Sequence, residues 1–269
     1  MVSSSPASEE DGPLAPPEAP VEPRQVARGA VVFDLDGTIL DDLDLISQVA
    51  AAVLEETFGT PKTEGRIHYL ATTGMPFEAQ LAQLYPEAPE VLRRRTARTF
   101  HERKIRDAYA NATPFPEIPR VLKRLSQAEW TLAISTGAER EMADLLLERE
   151  GLRYWFEGVL GSAQGTKREH LVEYARRFPG VPVFLVGDSR FDMEVAGHVA
   201  GVRTLGRAST LPGWSLTPHD LKRWGAVWAD YSLATLPEAL ETLVSQKRKA
   251  SPSRTRRNRA PSRRRSVPR

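Results

Sequence analysis

Six short, largely apolar runs, separated by stretches of helical periodicity, constrain the fold of this chain most. They fall at residues 30–35, 131–135, 158–160, 183–186, 202–205 and 226–228. Runs this short and this apolar suit strands covered on both faces, as in a parallel sheet. Between them, Ile118, Val121, Leu122 and Leu125 recur at helical spacing. So do Met142, Leu145 and Leu146 ahead of Gly151, then Leu171, Val172, Ala175 and Phe178, then Met193, Ala196, Val199 and Ala200 ahead of Gly201. Strand–helix alternation of this kind predicts a doubly wound, Rossmann-like α/β domain.

One interval breaks the alternation. Residues 41–112 contain helical patterns but no convincing strand. Leu43, Ile46, Ala50, Val53 and Leu54 mark a first helix, and 77–85 and 89–109 mark two more. Residues 113–119, with three prolines, form the return linker. The expected organisation is an α/β core at 29–40 and 113–245 with an inserted α-helical cap domain at 41–112. Residues 1–28 hold six prolines and few large apolar side chains, so a disordered leader is expected.

The formal net charge of +2 hides an asymmetry. The tail, residues 246–269, holds 11 of the 37 Lys and Arg and no acidic residue, so the rest is weakly acidic at −9. The tail is expected to be disordered and is able to contact nucleic acid non-specifically through phosphate neutralisation. It has no aromatic residue for base stacking. There is no cysteine, which excludes disulfides, thiolate metal sites and a cysteine nucleophile. No apolar run approaches 18 residues and the N-terminus has no secretory pattern, so a cytoplasmic protein with no membrane segment is expected.

The chemistry concentrates where apolar runs end. Val31-Val32-Phe33-Asp34-Leu35-Asp36-Gly37-Thr38 closes a strand with two carboxylates at i, i+2, which the pleat points to one side. At the carboxyl end of a strand they face the crevice where open α/β sheets bind ligands. A second strand, from Val183, ends in Gly187-Asp188-Ser189-Arg190-Phe191-Asp192. Asp34, Asp36 and Asp188 can therefore meet at one sheet edge, and an all-oxygen donor set of this kind suits Mg²⁺. A third strand ends in Ser135-Thr136-Gly137, where a hydroxyl and backbone N–H groups would grip an anion. Lys167 opens a further helix, a placement that the helix dipole disfavours and a site role would explain.

The order Asp-x-Asp-Gly-Thr, Thr136, Lys167, Gly-Asp-Ser-x-x-Asp resembles the haloacid dehalogenase superfamily. Within it, the chain looks like the phosphoglycolate phosphatase-like branch with a helical cap. The resemblance implies an Mg²⁺-dependent phosphatase of a small phosphorylated metabolite. Asp34 would form an aspartyl-phosphate, and Asp36 would act as general acid and base. Thr136, Gly137 and Lys167 would hold the phosphoryl group. Asp34, the Asp36 backbone carbonyl and Asp188 would ligate Mg²⁺, with Asp192 supporting. The cap loop, including Thr73 and Gly74, would close over the substrate.

Two other activities of the superfamily are disfavoured. Relatives that cleave carbon–halogen bonds generally lack the counterpart of Asp36. Those that cleave phosphonates use a cap lysine, yet the loop 68–77 has none, and Lys62 lies just upstream. A mutase or phosphotransferase of the same superfamily is the alternative within catalysis; a nucleic-acid-associated protein using the basic tail is the alternative outside it. The crowd of Arg93, Arg94, Arg95, Arg98, Arg103, Lys104 and Arg106 reads as a solvated helix face, and the five histidines show no metal-ligand spacing. Trp214, Trp224 and Trp228 are expected in core packing or a surface flap.

Overall fold

The computed structural model describes residues 28–250. Six parallel strands form its central sheet: β1 (Gly29–Phe33), β2 (Trp130–Ser135), β3 (Gly158–Leu160), β4 (Val183–Gly187), β5 (Val202–Arg207) and β8 (Trp228–Asp230). Their order is β3-β2-β1-β4-β5-β8. The chain thus winds outward from β1 to one edge, then returns to lay β4 on the other flank of β1. This is a topological switch point, where the loops leaving two adjacent strands part and open a crevice.

Alternation along the strands feeds two apolar layers. Val31, Phe33, Phe184 and Val186 face one side, with α5 (Ile118–Gln127), α6 (Arg140–Arg149) and α10 (Leu236–Ala250). Ala30, Val32, Val183 and Leu185 face the other, against α7 (Lys167–Arg177) and α8 (Arg190–Gly197). Every residue of β1 and β4 is buried, which is why both runs read as continuous rather than alternating.

Between β1 and α5 the chain inserts α1 (Leu43–Phe58), α2 (Lys62–Ala71), α3 (Phe77–Leu84) and α4 (Glu90–Arg103), which runs on as a π-helical turn over Lys104–Tyr109. Phe77, Phe100 and Tyr69 build an aromatic knot inside it, with 4.0 Å between the Phe77 and Phe100 ring centres. Its two connections to the sheet lie side by side. Asp41 N–H donates to Thr113 O (2.8 Å) and Phe115 N–H to Ile39 O (3.1 Å).

Three features depart from the sequence reading. Helix α2 was not anticipated: Ile67, one of its few large apolar residues, is exposed, so its periodicity is weak. A short antiparallel hairpin, β6 (Ser209–Leu211) and β7 (Trp214–Leu216), precedes α9 (Pro218–Arg223). Trp214 packs on the core from this hairpin, so packing and flap coincide. Helix α10 continues to Ala250, into the segment expected to be disordered from 246, because Gln, Lys, Arg and Ala all favour helix. The expectations for 1–27 and 251–269, including nucleic-acid contact, lie outside the described residues.

Candidate active site

Strand register brings the acidic residues together. Phe33 pairs with Val186 across β1 and β4, and Asp34 N–H donates to Val186 O (2.9 Å). The next residues on each strand are Asp34 and the pair Gly187–Asp188, so two carboxylates emerge side by side at the switch point. Phe33 also pairs with Ile134, which places Ser135 and Thr136 on the other flank. The chain then turns sharply, with Thr38, Ile39 and Leu40 N–H groups all donating to Leu35 O. Gly37 makes that turn possible. Its φ is +71°, and a Cβ there would overlap the Asp188 carboxylate.

Burial makes these charges costly. Asp34 is 6% exposed and Asp188 3%. Burial, reinforced by Asp192 and Asp36, pushes the Asp34 carboxyl up to about 7 against the pull of Lys167. Burial, then Asp34 and Asp192, holds Asp188 well above the carboxylate range. Lys167 Nζ lies 3.0 Å from Asp34 Oδ1 and 2.5 Å from Asp192 Oδ1. Burial works against its ammonium, but Asp192 and Asp34 outweigh that and raise it above the ordinary lysine value.

Local sequence explains how these side chains are aimed. Lys167 is the first residue of α7, whose cap is the reciprocal Thr166–Glu169 box. The dipole penalty for a lysine there is offset by its two carboxylate partners. Asp192 is the third residue of α8 and closes the equivalent box with Ser189, accepting from Ser189 N–H (3.1 Å) and Oγ–H (2.5 Å). One carboxylate thus caps a helix and grips Lys167. Thr136 is buried and its Oγ accepts from Ala138 N–H (3.1 Å), while Gly137 stands exposed beside it.

The inserted helices close the other side. Lys104 Nζ–H donates to Asp36 Oδ2 at 2.5 Å, and Tyr109 O–H to the same oxygen at 3.0 Å. Asp42, fully buried in the outgoing connection, accepts from Gly37 N–H (3.0 Å); burial, then Asp36, pushes its carboxyl well up. The loop between α2 and α3 sits on the start of α8. A Cβ on Gly74 (φ +89°) would lie 2.5 Å from Ser189 Oγ and 2.8 Å from Phe191 Cβ. Thr73 lies near the Tyr69 phenol, whose pKa burial raises. Gln80, almost wholly buried, braces the loop by accepting from Thr72 Oγ–H and donating to Met75 O, both 2.9 Å.

Asp34, Lys167, Asp188 and Asp192 thus come together, with Thr136 and Gly137 at the neighbouring strand end, while Lys104, Tyr109, Gln80 and Asp42 join from places to which the sequence reading gave no site role. Lys104 and Tyr109 were hidden in a basic helix read as solvated, and Gln80 in an unremarkable helical turn. Asp42, one of three acidic residues among 41–44, gave no sign of its burial. The other basic residues behave as expected: Arg94 pairs with Glu78 and Glu90, and Arg103 with Glu56, on exposed faces. Lys62 pairs with Glu55, at 3.4 Å and exposed, so the insertion lysine that reaches the site is Lys104. His170 is buried, with Nδ1 3.0 Å from Ser135 Oγ.

The donor set suits a hard cation. Asp34, Asp188 and Asp192 each offer a carboxylate oxygen within 4.8 Å of the others, and Asp188 Oδ2 is buried with no hydrogen-bond partner among the described residues. A buried carboxylate oxygen left without a donor is what a bound cation would satisfy. Asp36 does not enter this cluster by its side chain, which the insertion holds.

Comparison with known proteins agrees with the geometry. The chain is 28% identical over 205 residues to the phosphoglycolate phosphatase of Synechococcus elongatus, covering 71% of this chain and 94% of that protein. It is 28% identical over 229 residues to the phosphoglycolate phosphatase of Neisseria meningitidis, covering 82% and 95%. A haloacid dehalogenase-like hydrolase from Bacteroides fragilis superposes with a TM-score of 0.66 at 20% identity, over 77% of this chain and 99% of that one. A family hydrolase from Deinococcus radiodurans, solved with bound phosphate and sodium, superposes with a TM-score of 0.56 at 25% identity, over 81% and 97%. The profile described as haloacid dehalogenase-like hydrolase matches residues 31–206, and with the switch-point carboxylates in place the chain belongs to that enzyme family.

Proposed function

We propose that this protein is an Mg²⁺-dependent phosphatase that hydrolyses a small phosphorylated metabolite through an aspartyl-phosphate on Asp34. The observation that carries the reading is the setting of Asp34: at the switch point, 3.0 Å from Lys167, and pushed up by burial first and by neighbouring carboxylates after it. Such a group is unstable as an anion until positive charge arrives, which is the condition for a nucleophile meeting a phosphate dianion. The relatives named as phosphoglycolate phosphatases support the same reading.

In the first half-reaction an Asp34 carboxylate oxygen bonds to phosphorus, the bond from phosphorus to the alcohol oxygen breaks, and Asp36 gives its proton to the departing oxygen. In the second half, Asp36 takes a proton from water, the water oxygen bonds to phosphorus, and the bond to Asp34 breaks to release inorganic phosphate. Lys167 neutralises the phosphoryl oxygens, and the Thr136 hydroxyl with the Gly137 N–H holds them. Asp192 keeps Lys167 aimed. Mg²⁺ held by Asp34, Asp188 and the Asp36 carbonyl, with Asp192 adjacent, would screen the charge of nucleophile and phosphate.

The test is phosphate release by Asp34→Asn. The variant should fold and release none, and intact-mass measurement should find the phosphoryl adduct on the wild type alone. Hydrolysis unchanged by the substitution overturns the assignment.

A further inference from the structure

The site holds two lysines, each paired with a different carboxylate of the first strand's end, and the mechanism uses one. Lys167 is committed to Asp34 and Asp192, on the side of the transferring phosphoryl group. Lys104 enters from the inserted helices and touches Asp36. Because Asp36 hands its proton to the departing oxygen, an ammonium on its carboxylate stands beside the leaving alcohol, not beside the phosphoryl group.

Holding Asp36 does not account for Lys104. Tyr109 O–H already donates to the same Oδ2 at 3.0 Å. An ammonium has three donors, and Asp36 is the one hydrogen-bond acceptor of Lys104 among the described residues. It also stands over the Tyr109 ring, 4.6 Å from Nζ, and within electrostatic reach of the Asp42 carboxyl, which makes no hydrogen bond to it. The side chain is 12% exposed, so it is largely stripped of water without being sealed off. It sits where α4 passes into a π-helical turn, an irregularity that re-aims side chains and is frequent at functional sites. The other insertion groups on this side are the Tyr69 and Thr73 hydroxyls and Asp42, whose carboxyl burial, then Asp36, pushes toward its neutral form. A neutral leaving group would add nothing to the open donors of Lys104; a leaving group carrying an anion would complete them.

We propose that Lys104 is a specificity residue that binds an anionic substituent on the leaving alcohol, so that the preferred substrates are small phosphomonoesters bearing a carboxylate or a second phosphate. This rests on the phosphatase reading and deepens it. Charge-assisted hydrogen bonds in a partly desolvated site discriminate by about tenfold or more.

The experiment compares phosphoglycolate with hydroxyethyl phosphate, which replaces the carboxylate with a neutral group of similar size. The wild type should favour phosphoglycolate in kcat/KM. Lys104→Met should cut that preference about tenfold or more, mainly through KM, and Lys104→Arg should retain most of it. Equal loss on both esters would mean that Lys104 only positions Asp36, and no change on either would mean that it does nothing; each overturns the proposal. A binding arm separates this from the phosphatase reading: titration of both esters into Asp34→Asn, with and without Lys104→Met. Preferential phosphoglycolate binding that Lys104→Met abolishes supports the proposal even if neither ester is turned over, whereas equal affinity for both, or none, overturns it.

Discussion

Replacing Gly74 with alanine puts a methyl group where the structure has Ser189 Oγ at 2.5 Å and Phe191 Cβ at 2.8 Å. Neither contact is tolerable, and both neighbours are anchored, Ser189 by its bonds to Asp192 and Phe191 by the first turn of α8. The backbone adds a second cost. At φ +89° an alanine is disfavoured by about 1–2 kcal/mol relative to glycine. Together they come to at least about 2 kcal/mol against the seated loop, or about thirtyfold in the equilibrium between seated and lifted loop. The loop can escape by lifting off α8, so the cost falls on closure more than on folding. The assay is kcat/KM for phosphate release together with a thermal melt. The expectation is a fall of about thirtyfold with a midpoint shift of only about 2–4 °C. Gly74→Asn, which tolerates positive φ but keeps the Cβ, should recover little. Wild-type kcat/KM in Gly74→Ala would refute the argument that the loop must touch α8 for turnover.

Other consequences can be checked separately. Asp192→Asn leaves Lys167 with Asp34 alone, so kcat should fall by about a hundredfold, and the thermal midpoint should drop because a buried charge loses a partner. In the presence of a chelator, Asp34 keeps its proton when folded to about pH 7 but loses it near 3.8 when unfolded. Stability should therefore decline as pH rises between those values; denaturant titrations should show Asp34→Asn gaining on the wild type across that window, with added Mg²⁺ shrinking the difference. No such trend would contradict the raised Asp34 pKa. Gln80→Ala strips the loop of its brace at Thr72 and Met75, costing about 1–3 kcal/mol of local order, which should raise KM and speed amide exchange at residues 72–76.

What was legible in the sequence divides along the same line as the chemistry. The central strands were readable because burial on both faces leaves no polar residue in β1 or β4, and the residues that follow inherit their place from strand register. Hence Asp34, Asp188, Thr136 and Lys167 could be named from spacing and resemblance before any geometry was known. The insertion was readable only as helical. Lys104 and Tyr109 reach Asp36 from 68 and 73 residues away, through helix packing that periodicity does not report. A basic stretch in which Arg94, Arg103 and Arg106 all pair at the surface gives no hint that one member turns inward. The hairpin was missed because three-residue strands carry too short an alternation to register.

The paired connections at Asp41–Thr113 and Ile39–Phe115 lie only a few residues from Asp36 along the chain. Any swing of the helical lobe is therefore delivered almost directly to Asp36, the proposed proton donor, and it carries away Lys104 and Tyr109 at the same time. In an ajar molecule Asp36 would lose both companions while Asp34 and Asp188, at the ends of sheet strands, and Lys167, at the start of α7, stay as they were. Substitutions within residues 41–112 that spare Asp42, Lys104 and Tyr109 can therefore reshape the lobe without touching the carboxylates rooted in the sheet.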